Sequence, residues 1–470
     1  MRNIVCCGVG VIVLAWVGMA TGASLLVDQQ GAGDCKTIQA AIDAAQSGDE
    51  IAVAAGTYCE AIDFKGKAVH LRSTDGVEST TIDGTGHRHV VQCVSGEGSG
   101  TILEGFTITG GSDWEPFDDI ETIGYGGGMY NENSSPRVTD CVFSGNVARF
   151  GAGMYNSNGG PTVTRCTFTD NYAGNGGGIF NENSDPVLTH CTFSGNGARW
   201  SGGGMSGGGG ADTLTHCTFR GNTAHMGGAL SGVHAVSDCE FIGNGASYGG
   251  AIATVGTIFH CTFLENDASL GGSIVGAKGV GGCTFLRNAD GLFDAGVVVN
   301  CTFREDLGAA AVANVHVVIN CTFINNTGAG MMARSDGPSL VTHCTFTGNR
   351  VGITHFHEGD TVVANCVLWD NILAAIQGPA TVTYSNIEGG WEGEGNIDSN
   401  PLFADVQGRL SAGSPCIDAG TNNPPAGLMP IDLESNPRPL DGNGDGNAVA
   451  DMGAYEHPAV PVQSANPGLL

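Results

Sequence analysis

The dominant feature of the sequence is a short motif that recurs along its central part. Eleven cysteines repeat at intervals of 18 to 26 residues between Cys141 and Cys366. A phenylalanine follows each cysteine two residues later, except at Leu368, and an asparagine follows five residues later, except at Asp306. Self-similarity at such a period is typical of solenoid proteins, in which every repeat packs only against its neighbours. We therefore do not expect the 470 residues to divide into several independent globular domains.

Each motif predicts two short strands that meet at a corner. The cysteine and the phenylalanine are two residues apart, so both side chains face the same side of a strand. An aliphatic residue lies three residues before each cysteine, and a bend between the two would direct it inward as well. The residue just before the cysteine is mostly Asn, Asp, His or Gly, which tolerate a left-handed backbone. The corner is therefore expected at this position of every repeat.

Glycine-rich tetrads between the motifs predict a third strand. Tetrads such as Gly-Gly-Gly-Met at 126–129 and Gly-Gly-Ala-Ile at 249–252 let the chain turn tightly before another inward-facing segment. Three short strands in each turn of some 22 residues describe an all-β, single-stranded parallel β-helix, with turns stacked about 4.8 Å apart. Leucine-rich repeats share this period, but leucine does not occupy the columns that their core requires.

Composition excludes several other classes of protein. The chain has 78 glycines, but they do not fall on every third position, which excludes collagen. It has 47 acidic and 18 basic residues, a formal charge of −29, which argues against binding to nucleic acid or to anionic lipid. Hydrophobic residues make up 41% of the chain, enough for a core, so full-length disorder is not expected.

The first residues have the pattern of a secretory signal peptide. Arg2 precedes an apolar run that ends at Val17, and small residues lead to a predicted cleavage site after Ala23. The run is shorter than the roughly 20 residues that a spanning helix needs. We therefore predict a protein that is secreted or held at the cell surface, with no transmembrane segment in the mature chain.

The remaining chain divides by pattern rather than by linkers. Residues with apolar side chains at helical spacing over 36–46 predict a short amphipathic helix that covers the first turn. The predicted segments are a signal peptide at 1–23, an N-terminal cap at 24–47, the parallel β-helix at 48–390, a C-terminal capping region at 391–457 and a flexible tail at 458–470.

Several motifs carry a resemblance to known families. The Gly-Gly-Ala-Leu and Gly-Gly-Ala-Ile tetrads, with Phe-x-x-Asn at 143–146, resemble the repeats of polymorphic outer membrane proteins. The segment Thr-Ile-Gln-Ala-Ala-Ile-Asp-Ala-Ala (37–45) and the Cys-Thr-Phe series resemble secreted bacterial right-handed parallel β-helix proteins of the pectin-lyase-like superfamily. Residues 414–420 and 451–456 are similar to the C-terminal region of its choice-of-anchor type. The resemblance implies a right-handed helix and an association with carbohydrate.

Three hypotheses for function follow. The first is a secreted or cell-surface protein that is structural or associated with an extracellular polysaccharide, without a catalytic signature, and that acts as a monomer. The second is a polysaccharide lyase or glycoside hydrolase of the pectate-lyase-like type. The third is an adhesin that binds protein partners. No intact signature of the superfamily's pectate lyases, polygalacturonases or pectin methylesterases occurs in the sequence.

Two acidic segments are candidate catalytic sites. A lyase needs a base, often with calcium, and a hydrolase needs two carboxylates across the glycosidic bond. The first segment is the insertion 112–125, and the second is a short turn where the asparagine column is interrupted. Solvated acidic loops are the alternative interpretation of both. The candidates are Asp113, Asp118 and Asp119 in the first segment, and Asp290, Asp294, Glu305 and Asp306 in the second.

Two further features invite ligand hypotheses. Phe150, Trp200 and Tyr248 recur just before the glycine tetrads, where they would stack on sugar rings or pack one turn's loop on the next. Residues 441–446, Asp-Gly-Asn-Gly-Asp-Gly, match the first half of an EF-hand loop, so calcium is the one predicted cofactor. A glycine-rich turn without metal is the alternative. The predicted calcium ligands are Asp441, Asn443, Asp445, Asn447 and Asp451.

The cysteines are interpreted in two groups. The eleven in the column lack the paired short spacings of zinc sites and are expected to be small buried residues. Cys35 and Cys59 flank the predicted cap helix, and a disulfide between them is expected in an exported protein.

Overall fold

The structure is a computed structural model that describes residues 22–113, 124–333, 337–355 and 361–458. Its regular structure is almost entirely β, arranged as three parallel sheets of 25, 15 and 6 strands that run along one axis. Each strand pairs in parallel with the equivalent strand of the next turn. The predicted parallel β-helix is therefore confirmed. No helix within the described ranges is long and apolar enough to cross a bilayer.

The three sheets differ in how many turns they span. The strands of the first sheet are Ser24–Val27, Glu50–Val53, Ile62–Asp63, His70–Ser73, Val91–Cys93, Ile102–Glu104, Met129–Glu132, Arg137–Thr139, Met154–Ser157, Thr162–Thr164, Ile179–Glu182, Val187–Thr189, Met205–Ser206, Thr213–Thr215, Leu230–Ser237, Ile252–Phe259, Ile274–Gly281, Leu292–Val299, Ala310–Ile319, Ala329–Met332, Leu340–Thr342, Val351–Thr354, Thr361–Ala364, Ala374–Gln377 and Ala380–Thr383. Those of the second are Gly56–Tyr58, Thr80–Asp83, Thr107–Thr109, Val142–Ser144, Thr167–Thr169, Thr192–Ser194, Thr218–Arg220, Glu240–Ile242, Thr262–Leu264, Thr284–Leu286, Thr302–Arg304, Thr322–Ile324, Thr345–Thr347, Val367–Trp369 and Asn386–Ile387. Those of the third are Val147–Phe150, Tyr172–Asn175, Gly197–Ser201, Thr223–Met226, Gly245–Tyr248 and Asp267–Leu270.

The core is built from the predicted columns. The phenylalanines from Phe143 to Phe346 stack with ring centroids 4.4–5.1 Å apart. The cysteines beside them are buried, and burial raises the pKa of thiols such as Cys301 well above its ordinary value. The cysteines are also hydrogen-bonded, since the Cys217 N–H donates to Cys239 Sγ at 3.3 Å and that thiol donates to the Ser237 carbonyl. The cysteine side chains therefore act as hydrogen-bond donors and acceptors as well as buried core residues.

The corner before each cysteine is confirmed. All eleven residues at this position have a φ between 51° and 62°, from Asp140 to Asn365. The left-handed backbone turns the chain between the first and second sheets, so the aliphatic residue and the cysteine both face inward. The corner explains why Gly, Asn, Asp and His fill ten of the eleven positions, because these residues adopt this conformation more readily than others. Arg165 is the exception.

The asparagine column forms one buried ladder of side-chain amides. The Nδ2 of Asn146 donates to the Oδ1 of Asn171 at 3.1 Å, and the same contact recurs along the axis. Each Nδ2 also donates to a backbone carbonyl of an earlier turn. Asp306 occupies this ladder rather than an exposed turn, and it is buried.

The N-terminal end is covered as expected. An α-helix spans Ile38–Ala44, and its N-cap Thr37 accepts a hydrogen bond from the Ala40 N–H. Its buried residues contact the first turn of the core. The strand Ser24–Val27, inside the predicted cap, already pairs with Glu50–Val53, so the first sheet begins there.

The C-terminal region packs along the side of the last turns as well as over their end. Trp391 packs against the end of the core. Farther on, Met452 and Cys416 form a buried cluster with Val367 of the second sheet, and the Ala454 N–H donates to Thr345 Oγ1 at 3.1 Å. The region therefore covers the outer face of the second sheet near its end.

The third sheet stops partway along the molecule. Seven residues separate Asn266 from Ile274, but only three separate Asn288 from Leu292 in the next turn. The missing residues correspond to the strand Asp267–Leu270, which is the last of its sheet. The later turns therefore leave part of the first sheet's outer face uncovered.

Candidate functional site

Aromatic side chains cluster where the first sheet follows the glycine tetrads. Tyr130, Tyr155 and Phe180 are outward-facing neighbours in register on three successive turns. The ring centroids of Tyr130 and Tyr155 are 5.5 Å apart, and those of Tyr155 and Phe180 are 6.0 Å apart. Tyr125 packs against Tyr155 at 4.7 Å and against Phe150 at 5.5 Å. Five aromatic rings thus pack into one continuous surface layer, in which Tyr155 is buried at 3% exposure and the other four are partly exposed.

Two carboxylates border this surface. The Tyr130 hydroxyl donates to Glu132 Oε2 at 3.1 Å, and the Tyr155 hydroxyl donates to Glu182 Oε2. Burial, with Glu132 next, raises the pKa of Tyr130 to about 12, and burial also raises the pKa of Tyr155. Both hydroxyls therefore remain protonated donors at physiological pH. We call Tyr125, Tyr130, Tyr155, Glu132 and Glu182 the tyrosine–glutamate cluster.

The acidic insertion begins beside this cluster. Asp113 Oδ2 accepts a hydrogen bond from the Tyr125 N–H at 3.1 Å, and Oδ1 lies 3.4 Å from Arg88. Asp113 therefore positions the backbone of one cluster residue. The other two predicted catalytic residues of the insertion, Asp118 and Asp119, lie outside the described residues.

A line of side chains runs from the cluster along the axis. Each strand of the third sheet contributes one residue to this line, and each of these residues pairs in register with the equivalent residue of the next turn. An isolated β-bridge between Tyr125 and Phe150 adds Tyr125 at the start. Met226, Tyr248 and Leu270 are 40%, 41% and 57% exposed. We call the whole line the axial stripe, and its members are Tyr125, Phe150, Asn175, Ser201, Met226, Tyr248 and Leu270.

The three residues predicted to stack on sugar lie on or beside this stripe. Phe150 and Tyr248 are members of it, whereas Trp200 is displaced by one residue because the register shifts between Gly197 and Ser201. Trp200 covers Gly174 of the preceding turn, where an added Cβ would lie 2.3 Å from the indole ring. It is still 39% exposed, so it borders the stripe while packing one turn on the next.

The second group of predicted catalytic acids does not form a site. Asp306 is buried in the asparagine ladder. Glu305 directly follows the strand Thr302–Arg304 of the second sheet, and its Oε1 forms an ion pair with Arg304 Nε at 3.0 Å. Asp294 lies in the first sheet, where it accepts a hydrogen bond from Asn314. Asp290 accepts one from the Ala310 N–H. The four acids are therefore distributed over different sheets and turns, because the shortened turn places its consecutive residues on different faces.

The predicted disulfide is not present in the structure. Cys35 and Cys59 are free thiols, as are the other cysteines of the described ranges. Cys35 packs against the edge of the core, whereas Cys59 is exposed to solvent. Their side chains therefore lie in different environments.

The predicted calcium loop is a tight turn. Asp441 accepts hydrogen bonds from the N–H groups of Gly444 and Gly446, and Asn443 accepts one from Asp445. The loop oxygens thus bind the loop's own amides.

The other two predicted ligands differ in their surroundings. The Asp445 carboxylate accepts a hydrogen bond from the Asn447 N–H. Asp451 is buried outside the loop and accepts hydrogen bonds from Asp418 and His457. Within the described residues, no group of three His, Cys, Asp or Glu is placed to hold a metal. Calcium at Asp441, Asn443 and Asp445 stays a prediction, to be checked by a thermal melt in millimolar calcium against chelator.

Comparison with known families identifies the solenoid. The family model described as the right handed beta helix region matches residues 45–224 and 285–390. The chain belongs to this right-handed β-helix family. The match spans most of the turns whose columns are described above, so the right-handed helix expected from the resemblance is confirmed. No curated protein matches the sequence significantly.

Solved structures of other β-helix proteins are distantly similar. The pectin methylesterase from carrot is 15% identical, with a TM-score of 0.34, over 53% of this chain and 83% of its own. The pectate lyase Pel9A is 13% identical, with a TM-score of 0.29, over 94% and 98%. The catalytic domain of an alpha-1,3-glucanase is 11% identical, with a TM-score of 0.34, over 83% and 71%. At these values no activity or site residue transfers to this chain.

Sequence reasoning missed the tyrosine–glutamate cluster, although a signal was present. The tetrads at 126–129, 151–154 and 176–179 are followed by Tyr-Asn-Glu, Tyr-Asn-Ser and Phe-Asn-Glu. The middle asparagine faces inward and the two flanking residues face outward, as the alternation of a strand requires. Functional residues of a solenoid occupy such outward positions, next to the columns that identify the fold.

Proposed function

We propose that this protein is an extracellular polysaccharide-binding β-helix, secreted or held at the cell surface, that binds sugar chains along the axial stripe. The observation that carries the proposal is a row of exposed and partly exposed side chains, aromatic or apolar at five of its seven positions, that leads to the tyrosine–glutamate cluster. Aromatic faces suit the apolar faces of sugar rings, and tyrosine hydroxyls and carboxylates suit their hydroxyl groups. Turns about 4.8 Å apart present these groups at a regular repeat, as a linear polymer requires.

The charge of the chain agrees with this proposal. With a formal charge of −29, the surface attracts neither nucleic acid nor anionic lipid. Hydroxyl-rich chains that are neutral or only sparsely charged carry little of this electrostatic penalty. The stripe is also a mixed surface rather than a broad apolar patch, because Asn175 and Ser201 lie next to each other between Phe150 and Met226.

Affinity electrophoresis on a panel of neutral and acidic polysaccharides tests the proposal. Tyr130→Ala and Tyr248→Ala are each expected to weaken binding about five- to tenfold, from the roughly 1 kcal/mol that an aromatic contact contributes. Phe259→Ala is the matched control, since Phe259 is 47% exposed and lies on the first sheet away from the stripe. Binding that is unchanged in both tyrosine variants contradicts the proposal.

A glycoside hydrolase is the second candidate function, and Glu132 and Glu182 favour it. They occupy equivalent positions two turns apart, with Ser157 between them. Their α-carbons are about 9.6 Å apart, and the Glu182 carboxylate reaches back one turn to Tyr155, which brings it nearer to Glu132. Inverting hydrolases place their two carboxyl groups about 6.5–9.5 Å apart. Release of reducing ends that Glu132→Gln and Glu182→Gln both abolish would establish this activity. Binding without release of reducing ends supports the non-catalytic function.

A further inference from the structure

A cavity opens where the third sheet ends. Leu270 is the last residue of the axial stripe, and Gly271 directly after it lines a cavity of about 180 Å³ with Phe293 and Met332. Met332 and Ala309 also line a neighbouring cavity of about 570 Å³, which extends to Arg350. The axial stripe therefore leads directly into a groove, which we call the step groove.

The floor of the step groove belongs to a row of outward positions that runs along the first sheet. Its floor residues Phe293, Ala313, Met332, Thr354 and Gln377 are in register on successive turns of the first sheet. The same outward row contains Tyr130 and Tyr155 at the other end of the molecule. Between Tyr155 and Phe293 the row consists of Phe180, Ser206, Ser231, Ala253 and Val275. The cluster and the step groove thus lie on one row of the first sheet, but Ser206, Ser231 and Ala253 between them are buried, so the axial stripe, and not this row, carries the exposed side chains that lead to the groove.

Arg350 gives the step groove a positive charge. Its side chain is exposed, and no ion pair or side-chain hydrogen bond involves it among the described residues. The arginines Arg165, Arg287 and Arg409, by contrast, each lie against a carboxylate. An unpaired guanidinium on a chain with a formal charge of −29 is available for an anionic group of a ligand.

The other polar groups of the step groove are compatible with such a ligand. Thr327, Thr354 and Gln377 line the larger cavity together with Arg350. Asp290, the one acid lining either cavity in the described part of the chain, lies three turns from Arg350 and accepts a hydrogen bond from the Ala310 N–H. Three turns correspond to about 14 Å, more than a Debye length at physiological salt. Asp290 forms no ion pair with Arg350 in the described part of the chain.

We propose that the polysaccharide bound by the axial stripe is a long linear chain with anionic substituents, and that Arg350 binds one substituent in the step groove. The inference rests on the proposed function. Ten turns separate Tyr125 from Arg350, a distance of about 48 Å, so only a polymer occupies both ends at once. Sparse substituents suit the face, because its other end carries Glu132 and Glu182, which repel a densely charged polyanion.

Matched pairs of polymers test the proposal. The probes are glucuronoxylan, whose uronates are sparse, and its carboxyl-reduced form, with carrageenan and its desulfated form as the sulfate counterpart. The wild-type protein is expected to bind one charged member about tenfold more tightly than its neutral partner, and high salt should remove the difference. The pair that shows the difference identifies the substituent as a carboxylate or as a sulfate.

Arg350→Gln is the decisive variant. It should abolish the preference for the charged polymer and leave affinity for the neutral form unchanged. Arg220→Gln is the matched control, because Arg220 is an exposed arginine on the second sheet, away from the step groove. Equal thermal stability of the variants shows that the fold is intact.

The outcomes separate this inference from the proposed function. If Tyr248→Ala weakens binding of all probes while Arg350→Gln changes nothing, the proposed function stands and the inference is overturned. If no stripe variant affects binding, both are overturned. If the wild type prefers neither charged polymer, or if Arg350→Gln weakens both members of a pair equally, the inference is overturned.

Discussion

Asp306 replaces an amide of the buried asparagine ladder by a carboxyl group. Asn288 donates to its Oδ1 through N and Nδ2 at 2.8 and 3.1 Å, but Oδ2 is buried with no hydrogen-bond partner among the described residues. In a regular turn an asparagine Nδ2 takes the place of this Oδ2. It donates to the Oδ1 of the next ladder residue and to a backbone carbonyl, as the Nδ2 of Asn288 does to Asp306 and to Phe263. Only a protonated Asp306 can donate there, and burial raises its pKa to about 7.

This assignment predicts a pH dependence. The unfolded carboxyl titrates near 3.8, so the folded state binds more protons between about pH 4 and 7, and stability falls as pH rises through that window. Asp306→Asn should raise the free energy of unfolding by roughly 2–4 kcal/mol at pH 8 and by little at pH 4. Urea unfolding at both pH values measures this. Asn288→Asp, as the converse control, should lose stability at pH 8, and a pH-independent effect of Asp306→Asn would contradict the assignment.

The cysteine column makes a second prediction at the residue scale. A buried serine hydroxyl would be expected to lack a partner in an apolar column, but the structure provides both a donor and an acceptor. Ser385 already occupies the equivalent position one turn after Cys366, accepts its N–H at 3.0 Å and donates to the Thr383 carbonyl. Cys239→Ser should therefore cost less than about 1 kcal/mol, whereas Cys239→Ala leaves the Cys217 N–H without an acceptor and should cost roughly 1–3 kcal/mol. Equal losses in thermal unfolding would show that these contacts are unimportant.

At the scale of elements, one buried ion pair attaches the C-terminal region. Arg438 donates to Glu456 Oε1 and to Asn320 Oδ1, both at 2.6 Å, and the side chains of Arg438 and Glu456 are fully buried. Because Asn320 is a corner residue of the β-helix, Arg438 links the two parts of the chain. Arg438→Met should cost about 3–5 kcal/mol by leaving an uncompensated carboxylate. Limited proteolysis should then cut residues 391–458 first, while the β-strand signal in circular dichroism persists.

A second variant controls for a general loss of packing. Arg438→Met/Glu456→Gln removes both charges and keeps an amide oxygen that accepts the Asp451 N–H. Its C-terminal region should regain much of its protease resistance, because the isolated buried charge is gone. Cleavage at the same rate in the single and double variants would mean that packing alone, and not charge, holds the region.

Across the whole molecule, the sequence predicts the fold far better than the site. Repeated inward residues such as the Cys-x-Phe pairs recur in ten successive turns, so the interpretation of each turn supports that of the others. The site depends on outward residues that occur once or twice, such as Glu132 and Glu182, and no period identifies them. Asp306 was misassigned for a related reason. A single exception in a column is compatible with an exposed turn or with a buried substitution, and only the contacts of its side chain distinguish the two.

A polysaccharide that binds along the axial stripe must shield its side chains from solvent. Hydroxyl-radical footprinting, read by mass spectrometry, measures the solvent accessibility of individual aromatic side chains in the full-length protein. With a bound polysaccharide, Tyr130, Trp200 and Tyr248 should be protected together, and Phe259 should react as it does in the free protein. Unchanged reactivity along the stripe, or protection confined to Phe259 and its surroundings, would contradict the account.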